Sequence, residues 1–111
     1  MPNQQALLDG VFHALADPTR RAVLERLTFG PAAMTELAKP FKMALPSFSQ
    51  HLNVLEQSGL VRSRKTGRVR TYQVEPRPLQ AAGRWISAQH ANWERRLEQL
   101  DHYLKEMKDL K

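Results

Sequence analysis

At 111 residues, 41% hydrophobic and 25% charged, the chain has the size and make-up of one soluble globular domain. It contains no cysteine, which excludes disulfides, thiolate zinc sites and thiol redox sensing. No apolar run approaches the roughly 20 residues of a membrane span, and Met1-Pro2-Asn3-Gln4-Gln5 has neither the basic region nor the apolar stretch of a secretory signal, so the expected compartment is the cytoplasm.

The net charge of +6 is local. Residues 1–60 carry five basic and five acidic groups and residues 71–111 carry seven and six, whereas Arg62, Arg64, Lys65, Arg68 and Arg70 stand together without an acid. A polyanion selects such a patch because each phosphate neutralised releases condensed counterions. A solvated hairpin carries charge runs too, so the patch gains meaning only from its neighbours.

In chain order, Leu7, Leu8, Val11, Phe12 and Leu15 recur at helical spacing and predict a first helix from about Gln5 to Ala16. Asp17-Pro18 resets the chain: an Asp N-cap followed by a Pro whose missing donor is not needed in the first turn. A second helix then carries Val23, Leu24 and Leu27 inward and stops near Gly30-Pro31, and a short third fits Met34 to Phe41. The fourth spans about 45–58, with Leu45, Phe48, Leu52 and Leu55 as its inward stripe and Gly59 as its left-handed terminator. Ser47, Gln50 and His51 are expected to face outward, flanked by Ser49 and Asn53. The pattern then turns extended over about 61–74, with Thr66-Gly67 between two strand-like runs, so all five basic residues of the patch lie on one hairpin. Glu75-Pro76-Arg77-Pro78 is expected to break the strand before a last helix over about 79–108. There Ile86, Trp93, Leu97, Leu100, Leu104 and Met107 follow steps of seven, four and three, close to a heptad seam. So small a body cannot cover so long a helix, which predicts pairing with a second copy.

Helix, helix, short helix, turn, longer helix, basic hairpin, long helix is the order of a winged helix-turn-helix: mostly α with a small β-hairpin, one domain over 1–111. The major groove, about 12 Å wide, admits one helix, and a hairpin of Lys and Arg beside it reaches flanking phosphates or the minor groove. The expected partner is therefore double-stranded DNA, with Ser47, Gln50 and His51 at the bases, Ser49 at the DNA beside them, Lys42 on phosphate, and Arg64, Lys65, Arg68 and Arg70 on the backbone or in the minor groove. An architectural DNA binder or a protein-interaction module on the same fold is the alternative; it would lack sequence preference.

The stretches Phe12-His13-Ala14-Leu15-Ala16-Asp17-Pro18-Thr19-Arg20-Arg21 and Ser49-Gln50-His51-Leu52-Asn53-Val54-Leu55-Glu56-Gln57-Ser58-Gly59-Leu60-Val61, with the hairpin end Arg70-Thr71-Tyr72-Gln73-Val74, resemble ArsR-type winged-helix repressors. The resemblance covers residues 5 to 110. It implies a dimer built from the first and last helices that binds an imperfect palindrome near a promoter and blocks transcription. Lys42 and Ala44 depart from the family's turn Gly and Ser or Thr cap, and Ala is a poor cap at a cost of about 1 kcal/mol.

Many members sense metals through Cys before the recognition helix or through Asp-x-His and His-x-x-Glu or His pairs in the last helix. Here Met34-Thr35-Glu36-Leu37-Ala38 offers no thiol. His90 with Glu94 is an i, i+4 pair and Asp101 adjoins His102, so the metal spacing is absent and surface ion pairing is expected. His90 also falls on the seam, where an interface histidine, a register-setter or a pH switch are all open readings. Trp85 and Trp93 are read as filling a core or interface. No Gly-rich phosphate loop, Gly-x-Ser-x-Gly or isolated carboxylate pair points to an enzyme or a cofactor. Whether an effector exists stays open.

Overall fold

The computed structural model describes residues 4–110. Helix α1 (Gln4–Leu15) is followed by α2 (Pro18–Leu27), strand β1 (Ala32–Ala33), α3 (Met34–Ala38) and α4 (Leu45–Gln57). Strands β2 (Val61–Thr66) and β3 (Val69–Val74) form a hairpin, and α5 (Pro76–Asp109) closes the described chain. Asp17 makes the corner between the first two helices: its backbone is extended, its carboxylate accepts from the Arg20 backbone N–H at 3.1 Å, and Pro18 opens α2.

The wing belongs to a three-stranded antiparallel sheet of order β1-β3-β2, in which Ala32 faces Tyr72 and Ala33 faces Thr71. Two alanines carry no strand periodicity, so the sequence predicts only the hairpin. Its turn lies one residue later than predicted: Thr66 pairs with Val69, leaving Gly67-Arg68 as the loop. Gly67 takes φ +62° and Arg68 stays at ordinary φ, the sign pattern of a II′ turn, which needs glycine at its first central position.

Helix α3 ends at Ala38 rather than Phe41 because Pro40 has no N–H to continue the ladder. Conversely, α5 begins at Pro76, three residues before the expected Leu79. Its prolines occupy the first turn, where helical N–H groups have no acceptor, so they start a helix instead of blocking one.

Val11, Val23, Leu24, Leu27, Leu37, Phe48, Leu52, Leu55, Leu60, Val61 and Tyr72 form a single buried core. Leu45, expected inside, is 54% exposed because the first turn of α4 stands clear of that core. Helix α5 buries Pro78, Ala81 and Ala82 and sets Trp85 edge-on against Phe12 of α1, ring centroids 5.7 Å apart. From Gly83 to Leu110 every residue is exposed. The radius of gyration, 20.4 Å, therefore far exceeds the roughly 13 Å of a compact domain this long.

Candidate nucleic-acid interface

Helix α4 presents its polar face because the other face is anchored at both ends. At the N-terminus the Phe41 and Phe48 rings stack at 5.3 Å, fixing the turn from α3. Ala44 caps without a side-chain bond, as its residue type dictates. At the C-terminus Gly59 adopts φ +82°, Leu60 N–H donates to Leu55 O at 3.1 Å and Gly59 N–H to Glu56 O at 3.0 Å, closing the helix with a Schellman motif.

Phe48, Leu52 and Leu55 are fully buried; Ser47, Gln50 and Asn53 are exposed and Ser49 half-buried. His51 departs from the outward position expected of it. At 100° per residue it lies only about 60° from the centre of the buried stripe, and its Nδ1 turns inward, 3.2 Å from a terminal nitrogen of Arg20 and 3.7 Å from Asp17 Oδ2.

Arg20 and Arg21 are the residues behind this face that periodicity misses. Arg20 Nε donates to Ala14 O at 2.7 Å and a terminal nitrogen to His13 O at 3.0 Å, while Arg21 donates to Leu15 O at 2.7 Å. The last carbonyls of α1 have no partner within their own helix, and these two side chains supply one. The available signal was spacing: two arginines just past an Asp-Pro corner reach back to the helix that precedes it. Burial pushes the Asp17 carboxyl up, but the Arg20 backbone N–H, the charges of His51 and Arg20, and the Thr19 N–H together hold it below the usual carboxylate range.

The five basic residues that the sequence presents as equals separate on the hairpin, because successive side chains of a strand face opposite ways. Arg62 and Arg64 share a face with Thr66, Thr71 and Gln73, lining an open depression of about 670 Å³. Arg62 is engaged there: it lies 3.6 Å from Glu75 Oε2, and with the Gln73 amide turned to present its oxygen it donates to that oxygen at 2.6 and 2.7 Å. Lys65 and Arg70 pair across the strands on the opposite face. Arg70 donates to Ser63 Oγ at 2.8 Å, and Ser63 donates to Glu56 Oε1 at 2.7 Å, tying the wing to the end of α4. Burial pushes the Tyr72 phenol up, the Glu56 carboxylate adds to that, and Arg70 opposes it. Arg64, Lys65 and Arg68 are exposed and have no protein partner among the described residues. Lys42 is exposed in the turn before α4.

On α5, His90 Nε2 lies 2.9 Å from Glu94 and His102 Nε2 3.0 Å from Glu106, both as exposed i, i+4 pairs. Among the described residues no three His, Cys, Asp or Glu side chains gather at a metal-binding distance, and no helix is long and apolar enough to cross a membrane.

Comparison with known proteins matches residues 15–64, from the end of α1 into β2, to a helix-turn-helix domain family. The chain is 48% identical over 73 residues to the HTH-type transcriptional regulator Rv2034 of Mycobacterium tuberculosis, covering 66% of this chain and 68% of that one. It is 33% identical over 79 residues to the transcriptional repressor SdpR of Bacillus subtilis, covering 71% and 88%. The crystal structure of an ArsR family transcriptional regulator, RHA00566, superposes with a TM-score of 0.79 at 54% identity over 85% of this chain and 97% of that one. A recognition-type helix, an adjoining basic wing and relatives that span most of the fold place the chain in the ArsR family, as a DNA-binding transcriptional regulator.

Proposed function

We propose that the protein is a homodimeric repressor, working in the cytoplasm, whose paired α4 helices read a two-fold operator in duplex DNA. The observation that carries this reading is the bare stripe on α5. Ile86, Trp93, Leu97, Leu100, Leu104 and Met107 lie between 49% and 65% exposed along one face of the helix. Arg95, Glu98, Glu106 and Lys108 lie mostly off that face, as at a seam bordered by charge. The accessible surface is 8665 Å², whereas a compact monomer of 12.8 kDa exposes about 6,300 Å². The excess, about 2,400 Å² per chain, is of the size that permanent dimers bury. Contact of Phe12 with Trp85 makes α1 a neighbour of the same face.

Pairing also serves recognition, because one helix contacts too few base pairs for a useful specificity ratio, while two about 34 Å apart read half-sites one turn apart. In this reading Ser47, Ser49, Gln50 and His51 meet base edges. Lys42, Arg64, Lys65, Arg68 and Arg70 meet the backbone or minor groove, with Arg70 least free because Ser63 already holds it. The name of SdpR supports repression as the sign of regulation. Leu100→Glu tests the reading: Leu100 touches no core residue within one protomer, so the fold should survive, while a carboxylate in the seam abolishes both dimerisation and operator binding. A variant that sediments as a monomer yet binds the full operator with native affinity contradicts it.

A further inference from the structure

Each nitrogen of the Arg20 guanidinium makes a contact inside the protein. Two of its nitrogens close the end of α1 through Ala14 O and His13 O, and the third faces Nδ1 of His51 at 3.2 Å. That third contact carries chemical information beyond packing. A guanidinium has only donors and keeps its proton, so for this contact to be a hydrogen bond Nδ1 of His51 has to accept, which puts the ring hydrogen on Nε2. Among the described residues Nε2 has no partner and no buried side-chain nitrogen or oxygen lacks one, so Nε2 reaches solvent. It does so on α4 beside Gln50 and one turn after Ser47, both exposed. Asp17 makes the opposite demand on the same nitrogen: its Oδ2 is 3.7 Å from Nδ1, and only a ring carrying hydrogen on Nδ1 could donate to it.

We infer that Arg20, without touching DNA, is a specificity-positioning residue that holds His51 as an Nε2–H donor, so that His51 selects a base edge made of acceptors. This rests on the proposed reading of α4 as the base-reading helix. Guanine fits best, because its major-groove edge offers two acceptors, N7 and O6, and no donor, whereas thymine offers the single acceptor O4 beside its methyl group and cytosine and adenine present amino groups there. A ring released from Arg20 passes its hydrogen to Nδ1, turns that donor toward Asp17, and offers Nε2 as an acceptor, which favours amino-bearing bases instead.

Two measurements test this. In the free wild-type protein at mildly alkaline pH, long-range ¹H–¹⁵N spectra of His51 should show a protonated Nε2 and an unprotonated Nδ1. A hydrogen on Nδ1 overturns the inference without reference to DNA. Selection from a randomised duplex pool is then run with wild type, His51→Ala and Arg20→Met. His51→Ala should lose roughly two- to tenfold of a guanine preference at one position per half-site, about one hydrogen bond's contribution. Arg20→Met should move the preference at that same position toward cytosine or adenine and leave other positions alone. A uniform loss of affinity with unchanged preferences would mean that Arg20 only supports the fold, and it overturns the inference. Should Arg20→Met fail to fold, the tautomer and His51→Ala decide. A wild-type protein that enriches no sequence sinks the reading of α4 itself; enrichment that His51→Ala leaves unchanged at every position overturns this inference alone.

Discussion

Replacing Arg68 with alanine isolates the electrostatic role of the wing. Arg68 sits in the two-residue loop at the hairpin tip, exposed, at ordinary φ and without a protein partner among the described residues, so alanine leaves the turn intact and removes only a cation. One phosphate contact contributes about 0.9 to the slope of log affinity against log salt, and a dimer carries two wings, so the slope should shrink by about 1.8. Between 50 and 200 mM salt, wild type should then lose about twelvefold more affinity than the variant. Anisotropy titrations of a labelled operator duplex across a salt series measure this directly. Arg62→Ala is the matched control: Arg62 is already engaged by Glu75 and Gln73, and its loss should move the slope much less. An unchanged slope for Arg68→Ala, or equal changes for the two variants, would refute the division of the basic patch.

Gly59→Ala forces a side chain into the left-handed region at φ +82° with its Cβ 3.4 Å from Pro78 Cγ. The cost of about 1 kcal/mol should lower the calorimetric midpoint by roughly 4 to 8 °C; an unchanged midpoint contradicts the capping role. Asp17→Asn keeps a cap acceptor but removes the charge facing Arg20 and His51. Because the folded carboxyl lies below its ordinary value, its charge stabilises at neutral pH. That contribution fades as pH falls from about 3.9 through the lower folded value. Denaturant titrations should show the gap between wild type and variant closing in that window, and a gap that persists below it would count against the electrostatic explanation. Gln50→Ala should relax base preference at one position per half-site by about 1 to 3 kcal/mol, and an unaltered selected sequence would remove Gln50 from the reading set.

The features legible in the sequence are those that local chemistry determines. Asp17-Pro18 and Gly59 fix helix ends by capping rules that need no tertiary knowledge, and Phe48, Leu52 and Leu55 announce the buried stripe of α4 by spacing alone. The exposed apolar stripe of α5 is legible for the same reason. The misplaced features depend on partners distant in the chain. His51 is turned inward by Arg20, 31 positions away, which periodicity cannot register. Ala32 and Ala33 become a strand only because β3 offers an edge. Charge counting cannot separate Arg62 and Arg70 from Arg64 and Arg68, because what separates them is the neighbours Gln73, Glu75 and Ser63. Pro76 and Pro78 are ambiguous in the sequence because proline both ends a strand and starts a helix, and only the position of the first turn decides between them.

On the proposed function, two copies of α4 read one duplex. Duplexes selected from a random pool should carry two inverted half-sites one helical turn apart, and sedimentation of the selected duplex with wild-type protein should saturate at two protomers per duplex. A selected site without inverted symmetry, saturated by a single protomer, would contradict it.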